Sequence, residues 1–263
     1  MSFCSVARES FLPGPVNKVL ILGGTREAVD LTRQLQAETN LDCIYSLAGV
    51  TSSPNLPPVS VRTGGFGGLE GLERYLTTKG INLVADATHP YSVSMTCHAV
   101  QACEELKIPY VRLERPLWEM QDGDQWSQYS NGNALASALP SGSTVFLTVG
   151  QKDLDPYISR RDIRIVARMI EHSRTDWPDH FEILLSRPGK NAVEEQETMK
   201  RIGADILVAK NSGGNWSYPK IEAARRLNLP VYFIERPQKE KALSFNQVPE
   251  LARFVRDQLA SNL

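Results

Sequence analysis

An acid and a histidine follow one another closely at the end of an apolar segment. Asp86 closes the apolar run in residues 82–87, and His89 follows it just before a proline. A carboxyl group whose pKa is raised by burial, or an imidazole that titrates near ~6.5, can donate a proton near neutral pH. We therefore interpret Asp86 and His89 as candidate catalytic proton donors. A structural role as a buried cap or turn residue, or a water held by Thr88 or Tyr91, is the alternative.

Two glycine-containing segments are typical of loops that approach a phosphate or a flat ring. Residues 23–28 stand between an apolar run and a helical pattern, and a helix N-terminus favours an anion. Residues 64–68 hold four glycines in five positions, which costs backbone entropy unless the loop folds closely around a ligand. A tight turn is the alternative for the first segment, which lacks the GxGxxG spacing. The candidate cofactor-binding residues are Gly23, Gly24, Thr25, Arg26, Ala48, Gly49, Arg62, Gly64, Gly65, Phe66, Gly67, Gly68 and Thr88.

A third cluster of polar residues lies in the second half of the chain. Residues 209–214 read Ala-Lys-Asn-Ser-Gly-Gly after an apolar run, and a further lysine follows at position 220. An ammonium group, side-chain donors and free backbone amides together suit a carboxylate or a phosphate. The alternative is a solvated loop. The candidate substrate-binding residues are Lys210, Asn211, Ser212, Gly213, Gly214 and Lys220.

Short apolar segments that alternate with helical patterns must position these residues. Such alternation predicts βαβ units and parallel sheets, whose ligands bind beyond the carboxyl ends of the strands. The apolar segments lie in 18–22, 43–49, 60–68, 82–87, 108–113, 143–150, 163–170, 181–186, 204–214 and 229–237. We therefore predict an α/β fold with two Rossmann-like parallel-sheet domains and a cleft between them.

The predicted domain boundary lies where the composition changes. Residues 115–133 are polar and rich in turn formers, and we interpret the start of this segment as the crossing between domains. Apolar residues near the C-terminus have the spacing of an amphipathic helix. The predicted parts are an N-terminal tail in 1–17, a dinucleotide-binding domain in 18–114, a substrate-binding domain in 115–237, and a C-terminal helix in 238–263 whose domain is open.

The totals exclude several classes of function. The chain has 263 residues with 29 basic and 30 acidic side chains, so the formal net charge is −1 and no dominant nucleic-acid surface is expected. No apolar run reaches membrane-spanning length, and the first 17 residues lack the apolar core of a signal peptide. The cysteines show no CxxC spacing and the histidines are scattered, so we expect no metal site. A cytoplasmic protein with reduced thiols fits best.

Several motifs together resemble one enzyme family. The segments "ILGGTREA", "SLAG", "VRTGGFGG", "ADATHPYS", "IPYVRLERP", "FLTVGQKDL" and "LVAKNSGGNWSYPKIEAARRLNLPVYFIERP" occur in the family's order within residues 18–237. They resemble the precorrin-6A reductase family of cobalamin (vitamin B12) biosynthesis. The resemblance implies a two-domain α/β enzyme that transfers hydride from a reduced nicotinamide dinucleotide to the macrocycle of precorrin-6A, giving precorrin-6B.

The resemblance also implies the ligands. The cofactor is expected to be NADPH, with NADH as the alternative, because Val50 stands where family members often carry a basic residue. Arg26, and after it Arg62, are the expected partners of the 2′-phosphate. The substrate is a tetrapyrrole polycarboxylate, and contacts with neighbouring pathway enzymes are compatible with this function.

Three rival interpretations remain open. A cobalt-containing precorrin is the substrate of the equivalent step in the anaerobic pathway. A short-chain-type reductase needs a Tyr-x-x-x-Lys pair late in the chain, and Tyr75 and Lys79 have the spacing but come too early. A non-catalytic dinucleotide sensor would need no anion-binding loop at residues 210–214.

Overall fold

The computed structural model describes residues 16–37, 41–49, 56–171 and 176–260. Residues 1–15, which make up most of the predicted tail, and Val50 lie outside these ranges. The described chain forms two six-stranded sheets, and all strand pairs within each sheet are parallel. The predicted class, with two Rossmann-like parallel-sheet domains, is confirmed.

The first half of the chain builds five strands of the first sheet, with helices between them. The strand order is β12-β5-β4-β1-β2-β3, which is the doubly wound order of a Rossmann fold. The elements are β1 (Asn17–Leu22), α1 (Arg26–Gln36), β2 (Leu41–Leu47), β3 (Ser60–Thr63), α2 (Gly68–Lys79), β4 (Leu83–Asp86), α3 (Val93–Leu106) and β5 (Tyr110–Leu113).

The second half repeats this architecture. Its strand order is β6-β11-β10-β7-β8-β9, so β7 and β10 occupy the places that β1 and β4 hold in the first sheet. Two short 3₁₀ turns, Gln151–Asp153 and Asp155–Tyr157, replace the first helix of the repeat. The elements are β6 (Trp126–Tyr129), α4 (Gly132–Ala138), β7 (Thr144–Leu147), β8 (Arg164–Met169), β9 (Phe181–Leu185), α5 (Ala192–Ile202), β10 (Ile206–Lys210), α6 (Pro219–Arg226) and β11 (Val231–Ile234).

The outermost strand of each sheet departs from the order of the repeat. Strand β6 follows the first sheet along the chain but pairs with β11, and β12 (Ser244–Phe245) follows the second sheet but pairs with β5. Sequence analysis missed both strands; it described residues 115–133 as polar and turn-rich and assigned no strand there. Edge strands of four and two residues leave no alternating pattern to find.

The side chains of β1 point alternately into the two halves of the apolar core, one on each face of the sheet. Val19 and Ile21 face one side of the sheet, where they pack with α1, whereas Leu20 and Leu22 face the helices α2 and α3 on the other side. Helix α7 (Val248–Ala260) completes the α1 side through its buried residues, so the C-terminal helix packs on the first sheet. Two covered faces leave only the strand ends free to build a site.

Candidate active site

A cleft lies between the carboxyl ends of the two sheets. A cavity of about 1070 Å³ is lined by loops that follow β1, β2, β4 and β5 on one side and β7, β8, β9 and β10 on the other. In each sheet the strand order reverses between the first and fourth strands of the repeat, which is where open α/β sheets bind ligands. The two reversal points therefore face the same cavity.

The β1–α1 turn is built around Tyr45 on the neighbouring strand. A Cβ atom at Gly23 would collide with the Tyr45 ring, so the sequence requires glycine there. Gly24 has a φ of +102°, a conformation that favours glycine, and its N–H donates to the Tyr45 hydroxyl over 3.0 Å. Burial raises the pKa of Tyr45. Gly24 lines the cavity, and Gly23 lines a smaller pocket beside it together with Gly24 and Tyr45, a support that the sequence did not reveal.

Thr25 fixes the start of α1 against the end of β4. Its hydroxyl accepts from the N–H of Ala28 over 3.1 Å as the helix N-cap and donates to the carbonyl of Ala87 over 2.7 Å. The hydroxyl group of Thr25 therefore both donates and accepts a hydrogen bond within the protein. The N-terminus of α1 is held rigidly at the cleft, where it favours an anion.

One pair of residues joins the two sheets across the cleft, and a second pair joins the loops after β1 and β5 of the first sheet. The guanidinium of Arg26 lies 3.6 Å from the ring centroid of Trp216, and Glu27 accepts a hydrogen bond of 2.8 Å from Arg115. Trp216 is 53% exposed, so its ring remains accessible. Sequence reasoning found Arg26 but missed the other three residues.

The glycine loop at 64–68 lies outside this cavity. Gly64, Gly67 and Gly68 have φ values of +109°, +85° and +86°, so backbone conformation accounts for most of the glycines. Arg62 donates to the carbonyls of Gly64 and Gly65 over 2.5 and 2.6 Å and stacks on Phe66 at 3.7 Å. Arg62 thus holds the loop.

Asp86 is an anchoring carboxylate beneath the cleft. It is 1% exposed and does not line the cavity. One oxygen accepts from the N–H and hydroxyl of Thr88 over 3.0 and 2.7 Å, and the other accepts from Thr96 and Tyr110 over 2.7 and 2.8 Å. This geometry favours the structural alternative for Asp86 over proton donation. The Thr88 hydroxyl likewise uses its proton in the hydrogen bond to Asp86.

His89 lines the cavity, but as a neutral imidazole. Burial, followed by the positive charges of Arg115, Lys210, Lys220 and Lys239, lowers the pKa of His89 to about 3. Its Nδ1 accepts from the N–H of Tyr91 over 3.3 Å, which leaves the proton on Nε2. The sequence argument for His89 used the ordinary imidazole pKa, and burial beside these positive charges lowers it.

The loop after β10 divides into residues that face the cleft and residues that pack inward. Lys210 and Ser212 line the cavity, and the Lys210 ammonium lies 2.6 Å from a carboxylate oxygen of Asp153. The Asn211 side chain is buried, where it accepts from the Trp118 N–H over 2.9 Å and donates to the Trp118 carbonyl over 3.0 Å. The Asn211 side chain therefore has a structural role, because both of its polar groups bond the backbone of Trp118.

Close packing explains the two glycines of the same loop. A Cβ atom at Gly213 would collide with the Pro116 carbonyl, and one at Gly214 would lie 2.9 Å from Glu27 and 3.0 Å from Arg115. Neither glycine lines the large cavity. The last predicted substrate residue, Lys220, is buried in the cavity wall.

A short repeat in the sequence signals the residues that were missed. Glu-Arg-Pro occurs at 114–116 after β5 and again at 235–237 after β11, which are equivalent strands of the two sheets. Arg236 donates to Glu114 over 3.0 Å and to the Arg115 carbonyl over 2.6 Å, while Arg115 contacts Glu27. The repeated tripeptide therefore marks the seam between the sheets.

No metal or membrane feature is found in the described ranges. Within them, no group of three or more His, Cys, Asp or Glu side chains is placed to hold a metal ion. Helices of the described chain are all too short or too polar to cross a membrane.

Two doubly wound sheets whose reversal points share a cleft define a two-domain α/β protein of the dinucleotide-binding type. Residues 18–256 match the family profile described as Precorrin-6x reductase CbiJ/CobK, and the chain belongs to this family. A solved structure titled CobK precorrin-6A reductase superimposes with a TM-score of 0.87 at 31% identity, covering 92% of this chain and 96% of that one.

Curated relatives agree with the family assignment. The precorrin-6A reductase of Rhodococcus erythropolis is 35% identical over 223 residues, which is 84% of this chain and 90% of the relative. The cobalt-precorrin-6A reductase of Priestia megaterium is 26% identical over 259 residues, covering 92% of this chain and all of the relative (100%).

Proposed function

We propose that the protein reduces the macrocycle of precorrin-6A to precorrin-6B with a reduced nicotinamide dinucleotide, as one step of cobalamin biosynthesis. The observation that carries this proposal is the shared cleft, which has a glycine turn and a helix N-terminus on one wall and lysines on the other. The chain is 35% identical to the precorrin-6A reductase of Rhodococcus erythropolis and 26% identical to the cobalt-precorrin-6A reductase of Priestia megaterium. This difference in identity favours the metal-free precorrin as the substrate.

The first sheet fits a dinucleotide. The N-terminus of α1 favours a phosphate, Gly24 leaves open space where a Cβ would stand, and Ala48 and Gly49 follow β2 at the cavity edge. Arg26 is exposed beside them. We assign the dinucleotide to these residues, and the bound nicotinamide supplies the hydride. The loop at 64–68 stays a proposed outer contact.

Substitution of Gly24 tests this placement. We expect Gly24→Val to weaken dinucleotide binding by roughly 10-fold or more, because a side chain would fill the approach to the turn and disfavour its positive φ. Isothermal calorimetry measures the affinity. Gly80→Val is the matched control, because Gly80 also has positive φ but ends α2 away from the cleft. Equal affinity in the wild type and Gly24→Val would refute the placement.

Arg26 is the proposed partner of the 2′-phosphate. We expect Arg26→Ala to cost roughly 1.5–3 kcal/mol in kcat/KM with NADPH and little with NADH, because only NADPH offers a charge-assisted partner. Arg33→Ala is the control, since Arg33 lies on the same helix with a 52% exposed side chain. An equal loss with both cofactors would remove Arg26 from this role.

The opposite wall fits the carboxylate arms of the substrate. Lys210, Lys220 and Ser212 line this wall, and Arg115 lines the same cavity from the loop after β5, so cations and donors converge on one space. We propose that these groups bind the acetate and propionate arms, and that Asp153 releases Lys210 to them. Asn211, Gly213 and Gly214 contribute by shaping the loop.

His89 serves as a positioning group in this proposal. A neutral imidazole with its proton on Nε2 donates a hydrogen bond to a ligand in the cleft, but it is a poor acid. We place the reaction in the cytoplasm, in line with the free thiols of Cys43, Cys97 and Cys103. Contacts with neighbouring pathway enzymes stay a proposal.

An absorbance assay tests the function. The protein is mixed with precorrin-6A and NADPH, and the bands of the macrocycle and of the nicotinamide are followed together. We expect both to change in a one-to-one ratio. A non-catalytic sensor would bind the dinucleotide and leave both bands unchanged, which would overturn the proposal.

A further inference from the structure

Lys220 stands where a cation is unfavourable. It is the second residue of α6, and the positive end of a helix dipole disfavours a positive charge in the first turn. The residue is only 8% exposed, yet it lines the cleft. Sequence preference and burial both oppose a permanent ammonium at this position, so a function must account for it.

The surrounding charges do not neutralise Lys220. Within the described chain its ammonium has no hydrogen-bond or salt-bridge partner. The acid that acts on it is Glu195 of α5, and that carboxylate already accepts 2.8 and 3.0 Å bonds from Arg168 of β8 and a 2.5 Å bond from the N–H of Gly189. Arg168 adds positive charge. Among the residues that the structure describes, the Trp118 ring, with its centroid 5.6 Å away, offers a weak cation–π contact.

These surroundings give Lys220 the properties of an acid that works near neutral pH. Burial, opposed by Glu195 and reinforced by Arg168, lowers the pKa of Lys220 to about 8. His89 faces the same space from the loop after β4, where it is neutral. Lys210, in contrast, lies with its ammonium 2.6 Å from a carboxylate oxygen of Asp153. Of the three lysines in the described chain that line the cleft, Lys152, Lys210 and Lys220, only Lys220 is buried.

We propose that Lys220 is the catalytic acid that protonates the macrocycle during its reduction, an assignment that rests on the proposed function. The hydride adds to one ring carbon, and its electron pair shifts through the conjugated system to a neighbouring carbon. That carbon forms a C–H bond with the proton of the Lys220 ammonium, whose N–H electrons return to nitrogen. Solvent reprotonates the amine after each turnover.

Single-turnover reduction with Lys220→Arg tests the proposal. The guanidinium keeps the positive charge for the substrate arms but does not release a proton near neutral pH. We expect the rate of macrocycle reduction to fall by roughly 10²–10⁴-fold, while precorrin-6A binding measured without cofactor stays within about threefold of wild type. The wild-type rate should fall above about pH 8, and this decline should vanish in the variant. Lys200→Arg, an exposed residue of α5, is the control.

A second variant and a second measurement separate chemistry from folding. Lys220→Met carries no buried charge, and we expect it to fold, bind NADPH and lose the chemical step. Competitive amine labelling of the free protein at several pH values, read by mass spectrometry, should give Lys220 a pKa well below the ordinary lysine value of 10.5.

Two results would overturn the assignment of Lys220. One is an unchanged single-turnover rate in Lys220→Arg with weakened substrate binding, which would make Lys220 only a carboxylate partner. The other is an ordinary lysine pKa in the labelling experiment. A wild-type protein that oxidises no NADPH with precorrin-6A would instead overturn the proposed function, and the assignment with it.

Discussion

We expect Asp86→Ala to lower the free energy of unfolding by roughly 3–5 kcal/mol. The Asp86 carboxylate accepts four hydrogen bonds from Thr88, Thr96 and Tyr110 at the end of β4. Its removal leaves three buried or partly buried hydroxyl groups without their acceptor, and each such group costs about 1–3 kcal/mol. Relaxation and entering water reduce the sum.

Urea denaturation at pH 7 measures this loss. Asp86→Asn keeps the shape but exchanges a carboxylate oxygen for an amide that cannot accept, so we expect an intermediate effect. Asp30→Ala is the control, since Asp30 is a 40% exposed residue of α1. A stable Asp86→Asn protein that has lost only the chemical step would instead restore Asp86 as the proton donor.

Lys220→Met should have the opposite effect on stability. The pKa of Lys220 falls from the ordinary value of 10.5 to about 8 on folding. Each pKa unit corresponds to about 1.4 kcal/mol, so the residue lowers stability at pH 7 by roughly 3 kcal/mol, which the substitution should recover. A gain in stability with a loss of activity is the expected signature of a functional group held in an unfavourable site.

The pH dependence of this gain has a definite sign. Above pH 10.5 the amine is neutral in both states, so its ionisation costs nothing. As pH falls from 10.5 to about 8, the unfolded chain takes up a proton that the folded protein does not, and wild-type stability declines relative to the variant. Below pH 8 the difference is constant. Denaturation at pH 7 and pH 10, with Lys200→Met as the exposed control, measures it, and a gain independent of pH would contradict the account.

Local signals made most of the fold predictable. The apolar runs of β1, β4 and β10 end in glycine or polar residues, so their identity follows from neighbouring residues alone. Strands β6 and β12 lie at sheet edges and pair with β11 and β5, which are more than a hundred residues away along the chain. Nothing within such short segments specifies that pairing.

The site was predictable in its location but not in its contacts. Glycine and polar residues at strand ends lie in the loops that line the cleft. The pair of Arg115 and Glu27 joins residues 88 positions apart, so only the folded chain reveals it. Glycine enrichment at residues 64–68 signalled positive φ, and composition alone cannot distinguish that need from a close ligand. Burial and convergent charge, which set the pKa of His89 and Lys220, are likewise properties of the fold.

Isotope transfer tests the central claim most directly. The protein is mixed in ordinary water with precorrin-6A and with NADPH that carries deuterium at the transferred position of the nicotinamide. The mass of the product is then measured by mass spectrometry. We expect a reduced macrocycle that carries one deuterium atom from the cofactor and one hydrogen that came, as a proton, from the protein and solvent. A reduced macrocycle without deuterium, or deuterated cofactor left unconsumed beside intact substrate, would contradict hydride transfer across this cleft.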